Sequence, residues 1–126
     1  MGGVGDDPLT RRIIGAAIEV HRALGPGLLE SVYESCLAYE LRDRGMHVEE
    51  QQPLPVVYRD IRLEGAHRLD LVVNDDTIIE LKAVEKLNPL YEAQLLSYLR
   101  LSQYRVDLLI NFNVRYLTQG IRRFIR

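Results

Sequence analysis

Leu69-Asp70-Leu71-Val72-Val73, then Asn74-Asp75-Asp76, then Thr77-Ile78-Ile79-Glu80-Leu81-Lys82 is the stretch that decides the fold. It reads as two short strands joined by a polar turn. The first strand carries one acid, Asp70. The second carries Glu80 and Lys82, two residues apart and therefore on one face of a sheet. Charged side chains inside apolar strands are costly unless they have a task. We read that task as holding a divalent metal. A hard cation such as Mg²⁺ takes oxygen ligands, keeps several waters and usually accepts one or two carboxylates. Asp70 and Glu80 could supply these, and the backbone carbonyl of Leu81 could add an oxygen. Such an ion polarises a phosphoryl oxygen and lowers the pKa of a water. Lys82 would stand beside that water and the phosphate, to hold the nucleophile or offset transition-state charge.

The turn length tests this reading. Directly opposed residues of an antiparallel pair point the same way. A two-residue loop of Asp75-Asp76 sets Asp70 against Leu81 and throws Glu80 to the other face. A three-residue loop, Asn74-Asp75-Asp76, sets Asp70 against Glu80. Such loops need a left-handed residue, which Asn and Asp tolerate, so the sequence predicts the three-residue connection or an equivalent bulge. The plain alternative is a surface ion pair between Glu80 and Lys82, and Glu-x-Lys alone is a weak signal. Its context strengthens it: Asp70 lies on the preceding strand, and Ile79, Leu81 and Ala83 alternate with the charges. Lysine is also scarce, with Lys82 and Lys86 set against fourteen arginines, so the compact ammonium at Lys82 reads as a chemical choice.

Upstream, Asp7-Pro8 resembles an N-cap followed by proline at the first helical position. Ile13, Ala17, Val20 and Leu24 give an amphipathic helix that Gly25-Pro26 ends. A second helix is predicted from about Leu28 to Arg44, with Leu28, Leu29, Val32, Cys36, Leu37 and Leu41 on its buried side. Glu30, Tyr33 and Glu34 share one of its faces. Strand-like runs follow at Met46–Glu50, Leu54–Arg59, Ile61–Leu63 and Arg68–Val73, with Gly65 breaking the chain and Pro53 and Pro55 marking an edge or bulge.

Downstream, Asn88-Pro89 opens a third helix to about Leu101, with Leu95, Leu96 and Leu99 inward and Gln94 and Tyr98 on one face. Val106–Phe112 reads as a strand buried on both sides, and Ile121–Ile125 as a final extended segment. The third helix has the right length to make the Lys82 and Val106 strands parallel neighbours. The architecture is α/β, a mixed sheet flanked by helices.

The chain length of 126 residues suits a single domain, 1–126. A hydrophobic fraction of 47% and a charged fraction of 27% are ordinary for a soluble globular protein. No apolar run is long enough to span a bilayer, and the first residues lack a secretory signal, so a cytoplasmic location and no membrane partner are expected. One cysteine, Cys36, excludes an internal disulfide and a cysteine-based zinc site. The net charge of −2 does not advertise a nucleic-acid binder. From Arg100 onward, however, six arginines face one acid, Asp107. That segment could meet a polyanion, although a solvated basic surface is the simpler reading.

These residues resemble a known family. Asp70 followed by Glu80-Leu81-Lys82 on the next strand is similar to the PD-(D/E)XK nuclease superfamily. Gly27-Leu28-Leu29-Glu30-Ser31-Val32-Tyr33 resembles the name-giving motif of the GxxExxY family, assigned to that superfamily. The likeness runs from about Ile14 to Ile125 and includes Gly15–His21, Glu80–Glu85 and Leu109–Asn113; Leu69 stands where the superfamily often has proline. It implies a restriction-endonuclease-like αβββαβ core and phosphodiester cleavage with Mg²⁺ or Mn²⁺. It also implies Asp70 and Glu80 as metal ligands, Lys82 as the catalytic lysine, and Glu30 as a helical acid binding metal directly or through water. Gln94 and Tyr98 match a Gln-x-x-x-Tyr pattern on the helix after that lysine, which positions the lysine, the metal waters or the DNA backbone. Tyr33 is named by the motif without an assigned role. DNA is the expected substrate, and RNA stays open because the metal chemistry is indifferent to the sugar. The competing reading is a non-catalytic nucleic-acid-binding or assembly module. A degenerate member would have lost one of Asp70, Glu80 and Lys82, and this chain keeps all three. Cutting both strands of a duplex needs two sites, which suggests a two-fold homodimer.

Overall fold

The computed structural model describes residues 7–126. Helices α1 (Pro8–Leu24) and α2 (Glu30–Asp43) lead into β1 (Val48–Tyr58), β2 (Ile61–Val73) and β3 (Thr77–Lys82). Helix α3 (Pro89–Leu101) then crosses to β4 (Val106–Asn111), and a 3₁₀ turn (Leu117–Gly120) precedes β5 (Ile121–Ile125). The strands lie in the order β1-β2-β3-β4-β5. Only β3 and β4 run parallel, as the α3 crossover requires. The expected αβββαβ core is contained in α2 through β4.

Local chemistry explains the boundaries. Asn88 caps α3 through its side-chain oxygen, which accepts from Leu90 N–H at 2.8 Å. Asp7 holds the N-cap position of α1, and its carboxylate accepts from the Thr10 hydroxyl at 3.0 Å. Gly25, at φ +70°, ends α1.

The sheet has two unlike faces. Under α1 and α2, Leu71, Val73, Ile79, Leu81, Val106, Leu108, Ile110 and Phe112 form one apolar cluster with Ile13, Ala17, Tyr33, Leu37 and Leu41. Under α3 the cluster is smaller, built on Leu54, Leu69, Val72, Ile78, Leu95, Tyr98, Leu99 and Leu109.

Three expectations need correction. The separate strand runs before Val73 are two long strands of 11 and 13 residues. Gly65 does not break the chain. It sits at φ +68° where the β1–β2 register shifts between Leu54 and Val56, so it is the bulge that lets β2 continue. Pro53 and Pro55 do lie on an edge strand, β1. Finally, Leu28, Leu29, Val32 and Leu96 are exposed. Helix α2 begins only at Glu30, so Leu28 and Leu29 belong to the loop before it.

Candidate metal and phosphate site

The β2–β3 turn has three residues, with Asn74 and Asp75 both at φ +51°. The register Val73↔Thr77, Val72↔Ile78, Leu71↔Ile79, carried one step past its last pair, sets Asp70 opposite Glu80. On the other side, Glu50↔Leu71 and Gln52↔Leu69 put Gln51 opposite Asp70. Gln51, Asp70 and Glu80 thus form one row across three strands.

Between β2 and β3 the regular ladder ends short of this row, and between β1 and β2 it skips the row and resumes at Gln52↔Leu69. Side chains replace the missing backbone bonds: Leu81 N–H donates to Asp70 Oδ2 at 2.9 Å, and Asp70 N–H reaches Glu80 Oε1 at 3.4 Å. Alternation also slips here, because Leu69 and Val72, three apart, both pack on the α3 side. The opened row is where the acids meet.

Glu80 is only 6% exposed. Burial pushes its carboxyl up to about 10, the charges of Asp70 and Asp107 push the same way, and Lys82 opposes them. Asp107, on β4, is fully buried and neither of its oxygens has a hydrogen-bond partner. Burial, then Asp70, raises it to about 8. Tyr98 of α3 is raised to about 12 by burial and then by the charges of Glu80, Asp70 and Asp107. The His67 ring lies 5.5 Å from that of Tyr98. Glu30, at the start of α2, is raised by desolvation, lowered by the charge of Lys82 and raised by that of Asp70.

The charge of Lys82 reaches Glu80 and Glu30, but its ammonium rests on an aromatic ring. Its Nζ lies 4.5 Å from the centre of the Tyr91 ring, over the ring face. Among the described residues it makes no ion pair within 4.0 Å. It opens on a cleft of about 540 Å³ lined with Leu90, Tyr91, Ala93, Gln94 and Ser97. Asn111 fixes the chain just beyond it. The Asn111 side chain accepts from Val84 N–H at 3.1 Å and donates to Val84 C=O at 2.9 Å, and Phe112 N–H donates to Lys82 C=O at 2.9 Å.

Tyr33 has a plain task. It is fully buried and stacked on Phe112 at 4.6 Å. Its hydroxyl donates to Gly25 C=O at 2.6 Å and accepts from Leu28 N–H at 3.1 Å. It therefore closes the Gly25–Leu28 loop from which Glu30 starts its helix.

The donor set fits a hard cation. Among the described residues, Glu80 is buried without an ion pair, Asp107 is buried with neither oxygen hydrogen-bonded, and Asp70 adds a third carboxylate, so the acids offer the oxygen ligands such an ion takes. The grip is loose, however: among the described residues, three ligand atoms come within 4.8 Å of one another only at His47, Glu49 and Asp75. That surface group beside the β2–β3 turn is held by its own contacts, His47 Nε2 to Glu49 Oε1 at 3.4 Å and His47 N–H to Asn74 Oδ1 at 2.8 Å. The arginine-rich end is mostly engaged with the chain. Arg105 pairs with Asp7 at 2.6 Å and Asp76 at 2.9 Å, and Arg126 donates to Ser102 C=O at 3.1 Å.

Two residues escaped the sequence reading. Asp107 was hidden as one acid in an apolar run, and its only signal is that oddity. Gln51 lies at φ +52°, a conformation that its residue type gives no hint of.

A helix-flanked mixed sheet that opens its ladder around acids on adjacent central strands is a restriction-endonuclease-like architecture. Residues 7–124 match the PD-(D/E)XK nuclease superfamily, and the chain belongs to it. No curated protein and no solved structure matches the chain.

Proposed function

We propose that this protein is a metal-dependent nuclease that hydrolyses phosphodiester bonds, with DNA as its substrate. The observation that carries the reading is the Asp70–Glu80 pair, opposed across β2 and β3 where the ladder opens and short of positive charge. Asp70 and Glu80, with the Leu81 carbonyl and Glu30, are the groups that would hold Mg²⁺ or Mn²⁺. When bound, such an ion supplies positive charge at a phosphoryl oxygen and makes a water more acidic.

The chain's own residues do the rest. Lys82 carries the ammonium that steadies the attacking water or the charge gathering on phosphate. Its rest over Tyr91 holds it at the cleft, with no ion pair to an acid among the described residues. Gln94 lines that cleft and offers an amide to the backbone of a bound strand. Tyr98, buried on the α3 side, lies close enough to Glu80, Asp70 and Asp107 to feel their charge. We also propose the narrower GxxExxY assignment, supported by the loop that Tyr33 closes ahead of Glu30, a cytoplasmic setting, and a homodimer for duplex cutting. No helix among the described residues is long and apolar enough to cross a membrane.

The test is cleavage of single-stranded, duplex and branched DNA with Mg²⁺ or Mn²⁺, comparing the native chain with Lys82→Ala. The expected loss is about 10²–10⁴-fold in rate with the fold intact. Equal cleavage by both proteins would assign the activity to a contaminant or another site. Nucleic-acid binding without metal-dependent cleavage would favour the binding module.

A further inference from the structure

We propose that Gln51 is a positioning residue for Asp70, presenting its side-chain amide from a left-handed backbone to set that carboxylate for a divalent cation. The inference rests on the metal-dependent reading above.

The backbone supplies the first observation. Gln51 sits within β1 at φ +52°. A non-glycine residue held there costs about 1–3 kcal/mol and persists only where the surroundings fix it. The pairs on either side, Glu50↔Leu71 and Gln52↔Leu69, are kept, so on β1 the left-handed backbone is confined to the residue facing Asp70. The Gln51 carbonyl accepts from Arg68 Nη1 at 3.2 Å, which holds the turned backbone.

The side chain supplies the second. Gln51 Nε2 donates to Glu34 Oε1 and Oε2, both at 3.0 Å, and lies 3.5 Å from Asp70 Oδ1. Asp70 Oδ2 is already held by Leu81 N–H at 2.9 Å. The carboxylate is therefore approached by one donor on each oxygen, from the strands on either side. Glu34, on α2, anchors the amide so that it does not swing into solvent. A regular φ at residue 51 would send this side chain elsewhere, and the strain is explained by what it delivers.

Outer partners that orient a metal-binding group are worth about 10–100-fold in affinity. Glycine and asparagine both accept the left-handed conformation, and neither reaches Asp70 as glutamine does. Gln51→Gly and Gln51→Asn thus keep the backbone and remove the contact. Mn²⁺ titration calorimetry on the whole chain, with thermal melts in parallel, compares these two with the native protein and Asp70→Asn. The expected result is binding by the native chain, none by Asp70→Asn, and about 10–100-fold weaker binding by both Gln51 variants, with melting temperatures equal to or above the native one. Native-like Mn²⁺ affinity in the two Gln51 variants, while Asp70→Asn loses binding, would overturn this role and leave the metal reading standing. Affinity lost only in step with stability would also overturn it. A native chain that binds no Mn²⁺ would sink the metal reading itself, and Gln51's role with it.

Discussion

The two faces of the sheet are built from the same strands and do different work. Toward α1 and α2, β3 and β4 present Ile79, Leu81, Val106, Leu108 and Ile110, all at 0% exposure. Toward α3, the same strands alternate Ile78 and Leu109 with Glu80 and Asp107. One face supplies nearly all its residues to apolar packing. The other gives up packing to hold carboxylates in a dry place. Stability should therefore be concentrated on the first face, and the second should be a source of instability that function maintains.

The largest effect that sharpens this contrast is on the apolar face. Phe112 is fully buried and stacks on Tyr33. Phe112→Ala should cost about 3–5 kcal/mol in urea unfolding, from lost burial and the cavity left behind. A loss under about 1 kcal/mol would show that this face is not the main core.

The charged face should respond in the opposite sense and by less. Asp107→Asn removes a buried carboxylate that lacks a partner. It should stabilise the apoprotein by on the order of 1–3 kcal/mol at pH 8 and by little near pH 4. The pH dependence has a definite sign. Asp107 is raised from 3.8 to about 8 and Glu80 from 4.5 to about 10. Between those limits the folded chain holds protons that the unfolded chain has released. The contribution of these two groups to apoprotein stability is therefore fully present at low pH and falls as pH rises through this window. Melts from pH 5 to 9 check it: the native slope should be negative, and Asp107→Asn should flatten its lower half. A rising slope would mean that these carboxyls are ionised and compensated.

The sequence carried the parts governed by local rules. Asn74 and Asp75 tolerate positive φ, so the turn length and the Asp70–Glu80 opposition were legible. The Asn88 cap and the α3 crossover fixed the parallel β3–β4 pair. The parts set by tertiary context were not legible. Gly65 could mean a break or a bulge, and only its partner strand decides. Leu28, Leu29 and Leu96 fit a helical stripe, yet the first two precede α2 and the third faces outward. Of the candidate site residues, Asp70, Glu80 and Lys82 stand out in the sequence because they interrupt apolar strands. Asp107 interrupts one too, but with no second charge beside it the signal was too weak to read.

The contrast between faces comes down to whether the charged one exists to hold a cation. Anomalous diffraction from crystals of the protein soaked in Mn²⁺ at pH 8 or above tests this directly. The account predicts a manganese peak between the carboxylates of Asp70 and Glu80, absent in Asp70→Asn crystals. A peak only at the surface group of His47, Glu49 and Asp75, or none while both site acids remain solvent-connected, would contradict it.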